Sequence, residues 1–227
     1  MKITYIHHSC FVVEAINCTI LFDYYKGKLP SFREDKPLYV LSSHRHPDHF
    51  SDKIFLLGDQ YKDVFYILSS DIDNNKRVPE RFRKVTTFMH PGQEMKFGRF
   101  WVNCYKSTDE GVAFAIDVFG TSFYHAGDLN DWYWEGESQE DNIAMQRRYL
   151  KEVSLLDDHF DVAFVPVDPR LGKYYSLGAK EFLDHCSVDH LFPMHFWDDF
   201  SVCKKLQDEL GRPVEQIEYK NQEFEVE

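Results

Sequence analysis

The chain has 227 residues, 43% of them hydrophobic and 28% charged, with a formal net charge of −12. That length and apolar content can fill a sizeable core, and one domain over 1–227 is expected; the acid excess argues against a nucleic-acid partner, because phosphate binding draws on a basic surface. No apolar run reaches membrane-spanning length, and Met1-Lys2-Ile3-Thr4-Tyr5 opens into a strand-like pattern, so a soluble, cytoplasmic protein with no membrane partner is expected.

Residues 3–6, 11–13 and 19–22 alternate or run apolar between turn signals, as a meander of strands does. A fourth apolar stretch, Leu38-Tyr39-Val40-Leu41, precedes a polar turn, and a helix is expected after Ser51. Strands are expected over 64–68, 100–105, 112–118 and 122–124, and the polar stretch from Asp71 to Arg83 reads as a surface loop. Helices are expected over about 141–156, 177–185 and 202–210, with Ser138-Gln139-Glu140-Asp141 in capping-box form and Ser176 as a second helix start. Residues 161–165 and 189–192 read as strands of a second sheet. Cys10, Cys18, Cys104, Cys186 and Cys203 are odd in number and scattered, which fits reduced core residues.

The segment Ser42-Ser43-His44-Arg45-His46-Pro47-Asp48-His49 sets three histidines and a carboxylate within six residues, directly after an apolar strand. Neutral imidazole and carboxylate together suit zinc, manganese or iron, and a tight turn at the end of a rigid strand brings such ligands together. A solvated polar loop is the bland alternative. Four metal-capable residues in this spacing weigh against it.

The spacing His-x-His-x-Asp-His resembles the signature of the metallo-β-lactamase superfamily of binuclear metal hydrolases. The resemblance implies a four-layer αββα sandwich of the α/β class. It implies that His44 and His46 hold one metal, that Asp48 and His49 belong to the second, and that Asp128, in Tyr124-His125-Ala126-Gly127-Asp128, bridges both. His195, in Phe192-Pro193-Met194-His195, matches the last ligand. A histidine usual in the family is absent: the stretch Lys106-Ser107-Thr108-Asp109-Glu110-Gly111-Val112-Ala113-Phe114 puts Ser107 at its position. Three outcomes stay open: His44, His46 and Asp128 with water, Asp109 as a substitute oxygen ligand, or a single working ion. Two divalent ions are expected, zinc or manganese, with iron acceptable; oxygen in place of nitrogen favours manganese or iron.

The opening Tyr5-Ile6-His7-His8-Ser9-Cys10-Phe11, then Leu21-Phe22-Asp23, looks like the branch that includes the L-ascorbate-6-phosphate lactonase. Pro166-Val167-Asp168-Pro169-Arg170, Leu177-Gly178-Ala179 and Pro193-Met194-His195-Phe196 follow that branch's order. His8 and Asp23 match positions that line its metal site, and His7 replaces a usual glycine. Strand alternation turns His7 and His8 to opposite faces, His8 toward the metals. His125 reads as structural, and His90, His159, His185 and His190 as ordinary surface or core residues. The aromatic loop 129–137, with Trp132 and Trp134, either walls a substrate pocket or packs under the following helix. Trp197, Tyr174, Tyr175 and Arg170 are further pocket candidates; Arg170 either meets a substrate anion or pairs with an acidic side chain.

The expected chemistry is metal-assisted hydrolysis of a small ester, lactone or phosphodiester, an anionic substrate being compatible. A metal-activated hydroxide attacks, with Asp48, His8 and Asp128 as catalytic residues and Asp48 orienting the nucleophile. The alternative is a non-catalytic metal-binding or sensing protein with a degenerate first site. A diiron redox protein is a third reading, weakened by the lack of an electron-transfer domain in this chain.

Overall fold

The apolar runs that open the chain form β1 (Lys2–His7), β2 (Cys10–Glu14) and β3 (Thr19–Phe22) in a computed structural model that describes residues 1–74 and 76–226. They belong to the first of two compact units, Met1–His90 with Tyr219–Glu227. The continuously apolar β4 (Leu38–Ser42) and β5 (Val64–Ser69) follow, almost every side chain buried, as expected of parallel strands covered on both faces. A short edge strand β6 (Thr86–Met89) completes the run, and Glu223–Glu225 pairs with β1 at the other edge. β1, β2 and β3 pair antiparallel, whereas β3 to β6 pair parallel. Both β1 and β3 therefore run with β4, and the C-terminal ends of all three fall on one edge of the sheet.

Ser51 caps the turn after β4, its Oγ accepting from Lys53 N, and a 3₁₀ segment Asp52–Leu56 leads into α1 (Leu57–Gln60). The polar stretch expected as a loop is partly helical. α2 (Ser70–Asn74) and a 3₁₀ turn Glu80–Val85 are held down by buried Ile72, Val78 and Phe82. Three apolar anchors spaced through a charged segment give it a packed face that mean polarity hides. Asn75, within that predicted loop, lies outside the described residues.

The second unit is Pro91–Glu218. Its sheet has the order β12-β11-β10-β9-β8-β7, from β7 (Glu94–Phe97), β8 (Phe100–Lys106), β9 (Val112–Val118), β10 (Thr121–His125), β11 (His159–Pro166) and β12 (Ser187–Met194). β7 to β10 pair antiparallel, and β10, β11 and β12 pair parallel. β8, β10, β11 and β12 thus share one direction. Ligands of α/β sheets gather beyond the carboxyl ends of such strands, and Asp109, Asp128, Asp168 and His195 each follow one of these four.

Among the helices of this unit, α3 (Gln139–Val153) starts at Ser138, whose Oγ accepts from Asp141 N as the capping pattern predicts. α4 (Leu177–His185) follows Ser176, which makes no cap; its hydroxyl donates to Glu209 of α5 (Ser201–Leu210) at 3.1 Å. α4 packs on the sheet through Phe182, stacked on Tyr124 with ring centroids 4.9 Å apart. Both sheets are mixed and both units carry helices, so the α/β class expected from the sequence holds. All five cysteines are free and buried. Among the described residues no helix is long and apolar enough to cross a membrane.

Candidate functional site

In the first unit the chain leaves β1, β3 and β4 at one edge and converges there. His8 follows β1 in a left-handed backbone conformation (φ 57°), and Asp23 follows β3 in another (φ 44°). Such conformations cost roughly 1 kcal/mol or more outside glycine and collect at functional sites. Asp23, fully buried, accepts Ser43 N at 2.7 Å and the Ser43 hydroxyl at 2.6 Å, and its Oδ2 lies 2.7 Å from His49 Nδ1. A carboxylate bonded to Nδ1 fixes the Nδ1–H tautomer and makes Nε2 the electron-pair donor. The same network sets His44: the Ser43 hydroxyl gives its hydrogen to Asp23, so its oxygen accepts from His44 Nδ1 at 3.0 Å. Both buried imidazoles thereby offer Nε2 as an electron-pair donor, as a metal ion would require.

The turn itself is closed by His49 N and Phe50 N, both donating to His46 O at 3.0 Å, and is fastened by Arg45 N to Asp71 Oδ2 at 2.9 Å. The His44 and His49 ring centroids are 4.2 Å apart, and those of His44 and His46 4.6 Å. His8, Asp48 and His49 each offer a ligand atom within 4.8 Å of the others. Burial alone would raise the Asp48 carboxyl, but the neighbouring His8 and His49 imidazoles outweigh it and hold Asp48 well below the usual carboxylate range. An ionised Asp48, 3.6 Å from His8, offers its carboxylate to a cation.

The second unit repeats the design. His195 follows β12, again left-handed (φ 63°), with Nδ1 2.9 Å from Asp168 Oδ2 and Nε2 3.4 Å from Asp128 Oδ1. Asp168 is fully buried and also accepts Arg170 N, Arg170 Nε and, at 3.4 Å, Trp197 Nε1. Burial would raise its carboxyl; the bonds from His195 and Arg170 prevail and bring it down to about 2. Asp128 is 6% exposed, and its carbonyl accepts Trp132 Nε1 at 3.0 Å. Asp109, exposed, offers a carboxylate oxygen within 4.8 Å of one on Asp128. Buried Ser107, at the position of the absent histidine, accepts Asp109 N through its hydroxyl oxygen at 3.1 Å, shaping the turn that carries Asp109.

The structure therefore brings His8, His44, His46, Asp48 and His49 together in one unit, and Asp109, Asp128 and His195 in the other. His7 does not point opposite His8 as alternation predicted: a bulge between Tyr5 and His7 ends the strand, and His7 Nδ1 meets the Tyr25 hydroxyl at 2.7 Å. His125 is structural, its Nδ1 accepting Gly127 N at 3.2 Å. His159 belongs to an exposed group with Asp161 and Asp189. Trp132 is buried, edge-on to His195 at 5.3 Å, and Arg170 pairs with Asp168, its guanidinium 4.8 Å from the Trp197 ring. The orienting roles of Asp23 and Asp168 were missed in the sequence. Their strand-end positions, shared with the candidate metal-holding residues, were the available signal.

Residues 2–145 match the family described as a beta-lactamase superfamily domain. A metal-dependent hydrolase of Natranaerobius thermophilus is 27% identical over 232 residues, 93% of each chain; one of Carboxydothermus hydrogenoformans is 26% identical over 219 residues, 86% of this chain and 84% of its own. Among solved structures, a metallo hydrolase from Ignicoccus hospitalis shares the fold at a TM-score of 0.65 with 18% identity, over 100% of this chain and 99% of its own. A metallo-beta-lactamase fold protein from Bacillus subtilis does so at 0.67 with 16% identity, over 99% of each chain.

Proposed function

The chain belongs to the beta-lactamase superfamily, and on that premise we propose that it is a metal-dependent hydrolase of a small ester, lactone or phosphodiester. The resemblance to the L-ascorbate-6-phosphate lactonase branch favours an anionic substrate. The observation that carries this reading is the pair of buried His–Asp contacts, His49 to Asp23 and His195 to Asp168, each fixing a histidine with Nε2 as donor. Carboxylates behind imidazoles are characteristic of metal ligands, and the donors in front of them, nitrogen and carboxylate oxygen, suit zinc, manganese or iron.

In this reading His44, His46, Asp48 and His49 of the first unit, and Asp128 and His195 of the second, would be the side chains that hold the ions, with Asp109 as the oxygen that would take the place of the family's histidine. Divalent ions so held supply Lewis acidity and lower the pKa of water toward neutrality. Asp48, kept ionised beside His8, orients the attacking water. Trp132 keeps the ring of His195 dry, and the Arg170 guanidinium beside Trp197 lends positive charge near the Asp168–His195 pair.

The full chain loaded with zinc or manganese is expected to turn over at least one member of a panel of simple esters, lactones, phosphodiesters and thioesters. A protein that binds metal and hydrolyses none of them supports the second reading, a metal-binding or sensing protein. Ser107 in place of a ligand histidine is the observation that favours it.

A further inference from the structure

Asp131 lies three residues beyond Asp128, is fully buried, and has its backbone N against Gly178 of α4, 3.0 Å from where a Cβ would stand, one helical turn before Glu181. Among the described residues no N–H or O–H group donates to either Asp131 oxygen or to Glu181 Oε2. Glu181 Oε1 accepts Gln146 Nε2 of α3 at 2.5 Å. Two ionised carboxylates cannot share such an enclosure without a cation or a proton. One proton held between them supplies the missing donor as a strong O–H···O⁻ bond.

The contact lies at the end of a tightly fastened loop. Thr108 Oγ1 donates to Asn130 O at 2.6 Å and accepts Asn130 N at 3.0 Å. On the other side Gly178 of α4 comes so close that a Cβ there would lie 1.9 Å from Asn130 Oδ1. Tyr149 of α3 donates to Gly178 O at 2.7 Å and holds that helix turn in place. Glu181 sits three residues further along α4 and completes the grip on the loop at Asp131.

We propose that Asp131 and Glu181 are a positioning pair that shares one proton and latches the loop from Asp128 to Trp132 onto α4, so that Asp128 is held for metal binding. This rests on the reading of Asp128 as a metal ligand. Burial first, and then the charge on Glu181, push the Asp131 carboxyl up to about 7. The other titratable groups acting on the pair are Asp184 on α4, which raises Glu181, and Tyr149 on α3. A carboxyl raised on folding stabilises fully below its unfolded value near 4, and that stability is lost as pH rises through about 7. Above neutrality the latch becomes two like charges.

The test compares the full chain with Asp131→Asn and Glu181→Gln, whose amides donate to the remaining carboxylate at every pH. Melting temperature is followed from pH 5 to 9, and Mn²⁺ affinity is measured at pH 6 and 8.5. The wild type is expected to lose melting temperature relative to both amide variants as pH rises, levelling off above about pH 7. Its Mn²⁺ affinity relative to the variants is expected to fall roughly tenfold between the two pH values. A melting difference that does not change with pH overturns the shared proton. A pH-dependent melting difference with constant relative Mn²⁺ affinity overturns the positioning role. Absence of Mn²⁺ binding in all three proteins overturns the metal reading instead, and the melting profiles still decide the proton.

Discussion

Asp23 Oδ2 stands 2.7 Å from His49 Nδ1, with both side chains wholly removed from solvent. Asp23→Ala strips His49 of its orienting carboxylate and leaves Ser43 N and Oγ without their acceptor. Metal affinity is expected to fall about 10–100-fold, with a loss of stability on the order of 2–3 kcal/mol from the buried donors. Zinc titration of metal-free protein and urea unfolding measure the two effects. Unchanged zinc affinity would contradict the orienting role.

Ser107→His restores the nitrogen ligand usual in the family, at a buried position on the turn after β8. The variant is expected to bind zinc more tightly relative to manganese than the wild type does, since nitrogen donors favour zinc over manganese. Asp109→Ala is expected to do the reverse of a gain and weaken manganese binding. Competition between the two metals, read by elemental analysis after dialysis, checks both; an unaltered zinc-to-manganese ratio in the histidine variant counts against Ser107 facing the site.

Acid should unfold the metal-free protein partly through Asp168. Its carboxyl is lowered from 3.8 to about 2 on folding. The stability this gives is therefore present above about pH 4 and is lost as pH falls toward 2, a contribution on the order of 2 kcal/mol. Asp48, also lowered, acts with the same sign. Asp168→Asn is expected to be less stable than wild type at pH 6 and to lose less on acidification. Parallel acid limbs for the two proteins would refute this.

Gly178→Ala is expected to destabilise the fold by about 1–3 kcal/mol through overpacking, because Asn130 Cγ and Asp131 N also lie 3.0 Å from the added Cβ and the Asn130 side chain is buried. A shift of several degrees in melting temperature checks it.

The candidate ligands stand out in the sequence because they sit in short contiguous signatures at strand ends, His44 to His49 above all. The network behind them could not: Asp23 lies 26 residues from His49, and Asp168 27 residues from His195, and only parallel strand pairing closes those distances. β6 and β7 escaped notice because edge strands bury little and β7 alternates with exposed charged residues. The helix at Ser70–Asn74 was hidden by the acidic residues around Ile72. Ser176 failed as a cap because Glu209, 33 residues away, claims its hydroxyl. Likewise the alternation that should have separated His7 from His8 assumed a regular strand, whereas the backbone bulges before His7 and turns left-handed at His8.

The most direct measurement is the metal content of the full chain and of Asp128→Ala, by elemental analysis after equilibration with zinc and manganese and removal of unbound ions. Two ions per wild-type chain, falling to one or fewer in Asp128→Ala with loss of hydrolysis, is the predicted result. A wild-type chain that retains no metal, or an Asp128→Ala variant with full metal and full activity, would contradict the account.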